Sequence, residues 1–290
     1  MSKSPKLVKQ MIRDGMEDLT RSERQLADTL LQDYPMAGLR SVTRLAQAAR
    51  VSTPTVIRMA RKLGFEGFPD MQENLRNELS EQIKKPTSKH DLWQAQTADT
   101  HSLNTFAQAV ISNLRHTLER LDASVFDDVA ALLADTGKPA YLVGGRITRS
   151  NADYMFNHLQ IIRPNVTYLS HSPNVWPQYL LDMDGDAVLI VFDIRRYESD
   201  LHKLARLAAD RGTTIVLFTD QWGSPISKVA DFCFNALVEA PSNWDSTISI
   251  MLLIEALIAK VQGTRGSDSR DRIDELESMF SATKLFRNFN

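Results

Sequence analysis

Arginine is the residue type with which this chain could do the most chemistry, and it concentrates in two places. Between Asp33 and Glu66 no carboxylate interrupts Arg40, Arg44, Arg50, Arg58, Arg61 and Lys62. Fixed cations without counter-charges suit a polyphosphate, because neutralising phosphates releases condensed counterions. Further along, Arg146 follows Gly144-Gly145, and Arg195-Arg196 precede Tyr197. Guanidinium forks bind carboxylate or phosphate bidentately, so these three could hold a small anion. Other chemistry is thinly represented. His90, His101, His116, His158, His171 and His202 show neither metal-ligand spacing nor a partner in a nucleophile motif. The single Cys233 excludes an intrachain disulfide and a thiolate zinc cluster, and in Phe232-Cys233-Phe234 it reads as a small buried hydrophobe. No metal or cofactor is expected.

The first basic cluster needs an element to present it. Leu45 to Phe68 reads as two short helices around a tight turn, the second opening at Ser52-Thr53-Pro54 and stopping at Gly64. Leu45, Ala46, Ala49, Val56, Ala60 and Leu63 recur at helical spacing, with Val51 in the turn, and can bury against one another. That assigns Thr53, Thr55, Arg58, Met59 and Lys62 to the outer face. Such a helix-turn-helix implies contact with double-stranded DNA. Thr53, Thr55, Arg58 and Met59 would approach base edges in the major groove, and Ser52 with the helix start would meet a phosphate. Arg44, Arg61 and Lys62 would supply further charge.

Helical pattern extends over residues 1–80. Thr20-Arg21-Ser22-Glu23 is a capping box ahead of Leu26, Leu30 and Leu31, and Pro35 halts that helix. Another begins at Pro69 and runs through Leu75 and Leu79. Residues 81–102 are polar and weakly periodic, as in a linker. A helix resumes with Leu103, Phe106, Val110, Leu114, Leu118 and Leu121, a stripe that packs on its own domain or on a second subunit. From Pro139 short apolar runs alternate with amphipathic stretches: Ala140–Val143, Val166–Leu169, Ala187–Phe192, Thr214–Phe218 and Phe232–Val238. Helical patterns lie between them at about 148–162, 174–182, 198–211 and 225–230, with a long one at 245–262. A last amphipathic stretch, Ile273, Leu276, Met279, Phe280 and Phe286, suits a docking or dimer helix. The expected fold class is α/β: an N-terminal all-α helix-turn-helix domain, then a five-stranded parallel sheet sandwiched by helices. The boundaries are 1–80, a linker at 81–102, and 103–290.

Charge divides along the same line. Residues 1–85 carry 15 Lys/Arg against 11 Asp/Glu, and the remainder 19 against 25. A basic piece facing a polyanion is joined to an acidic piece with another task. The start lacks the apolar core of a signal peptide, and no apolar run approaches the ~20 residues that span a bilayer. The expected location is the cytoplasm, without a membrane partner.

In the second domain the strand ends should gather loops Gly144–Ser150, Asp193–Ser199 and Thr219–Ser224 on one edge, where open α/β sheets bind ligands. The candidate effector-binding residues are Gly144, Gly145, Arg146, Thr148, Ser150, Arg195, Arg196, Tyr197, Asp245 and Ser246. The competing reading pairs the arginines with Asp193, Glu198 and Asp200, and makes Asp245-Ser246 the cap of the helix at 245–262. Ser224-Pro225 is read only as a helix start.

These residues together resemble the RpiR-type bacterial transcriptional regulators, in which a helix-turn-helix domain precedes a sugar-isomerase-like (SIS) domain. The resemblance rests on Val51-Ser52-x-x-Thr55-Val56-x-Arg58-x-x-x-x-Leu63-Gly64-Phe65-x-Gly67-Phe68. It continues through Asn113-Leu114-Arg115-x-Thr117-Leu118 to Thr219-Asp220 and Ser224-Pro225. It implies a double-stranded DNA operator, a homodimer or homotetramer, and a second domain that senses a small anionic metabolite, a phosphosugar or sugar acid. One departure stands out. The family's Ser-x-Ser-Gly-x-Thr loop after the third strand, a phosphate cradle, is replaced by Asp193-Ile194-Arg195-Arg196-Tyr197-Glu198-Ser199, an Arg-Tyr sub-group pattern. Two alternatives stay open. One is a sugar-phosphate isomerase with an accessory N-terminal domain and Glu198 or Glu239 as base. The other is a SIS-like domain used only for dimerisation.

Overall fold

Capping and apolar spacing account for the helices of the first unit. A computed structural model describes residues 7–83 and 101–284, and the chain divides into units Met1–Lys84 and Lys85–Asn290. Among the described residues of the first are five α-helices: α1 (Val8–Asp14), α2 (Arg21–Gln32), α3 (Val42–Ala48), α4 (Thr53–Lys62) and α5 (Phe68–Ile83). The capping box opens α2, with the Thr20 N–H donating to Glu23 Oε2 at 2.8 Å. Ser41 caps α3 by accepting the Arg44 N–H. Between α3 and α4, Arg50 takes a left-handed φ of 51° and the Val51 N–H returns to the Ala46 carbonyl. The same 6→1 closure ends α4: Gly64 sits at φ 97° and the Phe65 N–H bonds Ala60 O. Leu26, Leu30, Leu45, Val56, Met59, Ala60, Met71 and Leu75 fill the core. Gly38 leaves room for that packing, since a Cβ would stand 2.3 Å from Leu75 Cδ1 and would force that side chain to shift. Ser52 is the N-cap of α4 as expected, but its hydroxyl bonds the Thr55 hydroxyl rather than the helix backbone.

The second unit begins with α6 (Ser102–Glu119) and α7 (Ala123–Ala134), the latter a helix that the apolar-run reading passes over. Five strands follow: β1 (Ala140–Gly144), β2 (Val166–Tyr168), β3 (Val188–Phe192), β4 (Thr214–Asp220) and β5 (Phe232–Ala236). All pair in parallel in the order β2-β1-β3-β4-β5. Interleaved are α8 (Arg149–Ile162), α9 (Trp176–Leu181) and α10 (Ser199–Ala209), and then α11 (Ile248–Arg265) and α12 (Ser267–Thr283). Alternation along the strands divides the core. Leu189, Val191, Ile215 and Leu217 pack with Leu201, Leu204 and Ala205 of α10. On the opposite face Phe192, Phe218 and Phe234 stack in a row, with neighbouring ring centroids 4.7 Å apart. All five strands and the main helices fall where their patterns place them, within a few residues at the ends.

Three expectations need correction. The stripe on α6 divides: Val110, Asn113 and Thr117 are buried, whereas Leu103, Ile111 and Leu118 are exposed. Polar groups seat the buried face, since the Asn113 amide donates to Glu239 O and Thr117 Oγ1 accepts the Leu237 N–H. The long C-terminal helix starts at Ile248 with Thr247 as N-cap, so Asp245 is not its cap. Cys233 is half-buried rather than fully enclosed. Residues 84–100, most of the stretch read as a linker, and Phe286 lie outside the described residues.

Candidate effector site and nucleic-acid interface

The parallel order reverses direction between β1 and β3, and the loops that leave those strands meet there. Gly144 and Gly145 make the turn after β1. A Cβ on Gly144 would lie 2.6 Å from the backbone of Thr148 and Arg149, so only glycine fits. Thr148 locks the turn to β3: its hydroxyl accepts the Gly145 N–H at 2.9 Å and donates to Phe192 O at 2.6 Å. Thr148 is therefore buried and committed, not a ligand donor as expected. Ser150 is exposed, with its hydroxyl on Ile147 O. The amide of Asn151, in the first turn of α8, is fully buried without a hydrogen-bond partner, and no sequence pattern singled it out.

Asp220, at the end of β4, organises the loop after β3. One of its oxygens accepts the Arg195 N–H at 2.7 Å, and the other accepts the Tyr197 hydroxyl at 2.8 Å and the Trp222 and Gly223 N–H groups at 3.0 Å. Burial, and then the charge of Asp220, push the Tyr197 phenol above its ordinary pKa, so it stays a donor. Asp193 accepts from the Ser224 hydroxyl and the Glu198 N–H. Its carboxyl is pushed up to about 7, chiefly by burial. Ser224 thus belongs to this network while also capping Ile226.

Arg195 is not free to take a ligand. Its Nε and Nη2 donate to the two oxygens of Asp245 at 2.8 and 2.7 Å, Glu239 lies 3.7 Å from Nη2, and the guanidinium stacks 3.9 Å above the Trp222 ring. Its side chain is only 4% exposed. The carboxylate pairing expected of the arginines is thus met by Asp245 and Glu239 rather than by Asp193, Glu198 or Asp200. Ser246 is buried and accepts the Ile248 N–H at 3.4 Å. Arg146 and Arg196 are exposed, with no carboxylate partner among the described residues. Glu198 instead reaches across the site, and its Oε1 accepts the Arg146 N–H at 2.6 Å. Asp220 and Trp222 were the main omissions of the sequence reading, because their roles depend on contacts between separate loops.

On α4 the exposed face is narrower than expected. Arg58 and Arg61 are exposed, and Thr53 is half-exposed. Thr55 and Met59 are buried, at 4% and 1% exposure. Met59 lies three residues from Val56 and four from Leu63, and Thr55 lies four from Met59, so both join the stripe that faces the core. Lys62 is engaged too, on the Asp18 carbonyl and on Glu23 Oε2 at 3.2 Å, which ties the end of α4 to the start of α2. Arg44, Arg50, Arg58 and Arg61 have no carboxylate partner among the described residues, whereas Arg40 pairs with Asp33.

Comparison with known proteins accords with both units. Residues 6–82 match the helix-turn-helix domain of the rpiR family and residues 133–260 match the SIS domain. The chain is an RpiR-type transcriptional regulator. The regulator HexR of Escherichia coli (strain K12) is 24% identical over 283 residues, 94% of each chain. Among solved structures, Vibrio vulnificus NanR complexed with ManNAc-6P shares the fold at a TM-score of 0.56 and 18% identity, covering 97% of this chain and 99% of that one. The sugar isomerase domain of the Sphaerobacter thermophilus RpiR transcription factor aligns at 0.57 and 18%, over 61% of this chain and 97% of that one. Relatives that span the chain are named as regulators, and the regulator reading stands over that of an isomerase. No helix among the described residues is long and apolar enough to cross a membrane, and no cluster there could hold a metal ion.

Proposed function

We propose that this RpiR-type regulator reads a double-stranded operator through the exposed face of α4 and adjusts that binding to an anionic, sugar-derived metabolite at the β1/β3 edge of its second domain. The carrying observation is the set of cations left free. Arg44, Arg58 and Arg61 stand exposed and without carboxylates on or beside a helix held rigidly by Glu23–Lys62 and a packed core. Ser52 and Thr53 at the start of α4 would meet a phosphate, and Arg58 would reach the base edges. Thr55 and Met59 support that face from below, and Lys62 is a positioning residue.

At the effector edge, Arg146 and Arg196 are the guanidiniums open to an anion, with Ser150 four residues after Arg146 and the Tyr197 ring half-buried. Gly144, Gly145 and Thr148 shape the turn, and Arg195 with Asp245 and Ser246 holds the loops in place. The phosphosugar bound by V. vulnificus NanR, which shares the fold, supports a sugar-derived ligand. A homodimer would bring two α4 helices to successive major grooves, and the exposed Leu103, Ile111 and Leu118 support self-association through α6. Ligand that binds one arrangement of the dimer better than another would shift operator affinity by that difference.

Selection of bound duplexes from genomic fragments, followed by titration with sugar phosphates and sugar acids, tests the reading. An enriched site whose affinity responds to one of these compounds is the expected result. Duplex binding that no such ligand alters would reduce the second domain to a dimerisation module.

A further inference from the structure

An anion already occupies the turn after β1, and it comes from the chain itself. The glycine turn after a strand, leading into the N-terminus of a 14-residue helix, is where α/β sheets receive anionic groups on backbone N–H donors. Here Glu198 Oε1 takes the Arg146 N–H at 2.6 Å. It sits so close over Gly145 that a Cβ there would come within 2.7 Å of the same oxygen. Glu198 is held for this from its own side. It is the N-cap residue of α10, and its N–H is fixed on Asp193 Oδ1 at 3.2 Å.

We infer that Glu198 is a resident counter-anion that closes this turn to phosphate, so the effector is a non-phosphorylated sugar acid. The inference rests on the effector site proposed above and narrows its ligand class. A second anion in the turn would lie against the Glu198 carboxylate and would find the Arg146 N–H already taken. A sugar hydroxyl suits the same place, because a neutral hydroxyl donates to a carboxylate that repels the charge of a phosphate, and a fully ionised phosphate ester has no proton to donate. The ligand's own charge then falls to Arg146 and Arg196, which lie on the two loops that the Glu198 contact joins and have no carboxylate partner among the described residues. A single carboxylate matches one guanidinium fork.

The test compares full-length wild type with Glu198→Gln and Glu198→Ala. Both variants are checked first by circular dichroism and for undiminished duplex binding. Inorganic phosphate, a hexose 6-phosphate and a panel of hexonates and hexuronates are titrated by calorimetry. Wild type should ignore phosphate and the sugar phosphate at ~10 mM, whereas Glu198→Ala should bind phosphate at least ~10-fold more tightly, with Glu198→Gln between. A sugar acid should bind wild type and lose at least ~10-fold in Glu198→Ala, which lacks the hydroxyl acceptor. Wild type binding phosphate as tightly as Glu198→Ala, or no sugar acid binding wild type, overturns the inference. Neither result touches operator recognition, which fails separately if the wild-type protein retains no duplex.

Discussion

Asp193 gives the second domain its clearest dependence on pH. Burial leads in lifting its carboxyl to about 7, with the charges of Asp220 and Glu198 adding to the rise and the Ser224 and Glu198 hydrogen bonds opposing it. In the unfolded chain the group titrates near ~4. Between those values the folded domain keeps a proton that the unfolded chain has lost. Stability therefore falls as pH rises from about 4 to about 7 and levels off above, by at most roughly 4 kcal/mol. Asp193→Asn should flatten that slope. All four tryptophans lie beyond residue 84, so tryptophan fluorescence in urea reports this domain alone. An unchanged slope in the variant would place the titration elsewhere. Arg195 makes a different prediction. Arg195→Met leaves Asp245 and Glu239 facing an apolar chain and should cost up to ~3–5 kcal/mol, the range for breaking a buried pair. Arg195→Lys keeps the charge but loses the second N–H and the Trp222 stacking, so its urea midpoint should fall between those of wild type and Arg195→Met.

Among the elements, α4 carries the sharpest contrast, because neighbouring residues on it do opposite work. Arg58→Ala removes an exposed guanidinium whose described contact is with Thr55 Oγ1, so stability should hold while operator affinity drops by about 1–3 kcal/mol if it reads a guanine. Met59→Ala empties part of the core and should cost the first unit ~2–5 kcal/mol, with operator binding by the folded fraction unchanged. Thermal melts beside salt-controlled duplex titrations separate the two, and the reverse pattern would mean that the faces of α4 have been misassigned. Sequence alone located this helix, because Ser52, Pro54 and Gly64 mark its ends and Val56, Ala60 and Leu63 mark its period. It misassigned Thr55 and Met59 because a threonine on the core side looks polar, and its burial follows from the Ser52 hydroxyl it bonds. The five strands were legible for a similar reason: buried parallel strands are short unbroken apolar runs. Helix α7 was missed although Asp122 caps it and Val129, Ala130 and Leu133 face inward. The loops between strands yielded least. Asp220 binding Arg195 and Tyr197, or Glu198 reaching Arg146 across 52 positions, depends on which strand ends lie side by side, and chain order does not encode that.

Over the whole molecule, charge is segregated rather than abundant. A chain whose net charge is −2 would be repelled by duplex DNA if that charge were spread evenly. The acidic excess belongs to the second unit, and among the described residues on or beside α3 and α4 the cations without a carboxylate partner are Arg44, Arg50, Arg58 and Arg61. Operator affinity must then come mostly from counterion release by that small set, doubled in the proposed dimer. If half to all of those arginines meet phosphate, the logarithm of the binding constant should fall with the logarithm of salt at a slope of roughly −4 to −7. Arg61→Ala should make the slope shallower by about one unit for each phosphate it no longer neutralises, without changing which sequences are preferred, whereas Arg58→Ala should relax preference at one position of each half-site. The same two-fold assembly fixes a length: protected half-sites should lie ~10 bp apart or at a multiple of that spacing on one face of the duplex. Hydroxyl-radical footprinting over a salt series reads slope and spacing together. A slope near zero, or a single protected half-site, would mean that α4 does not present its arginines to DNA in pairs.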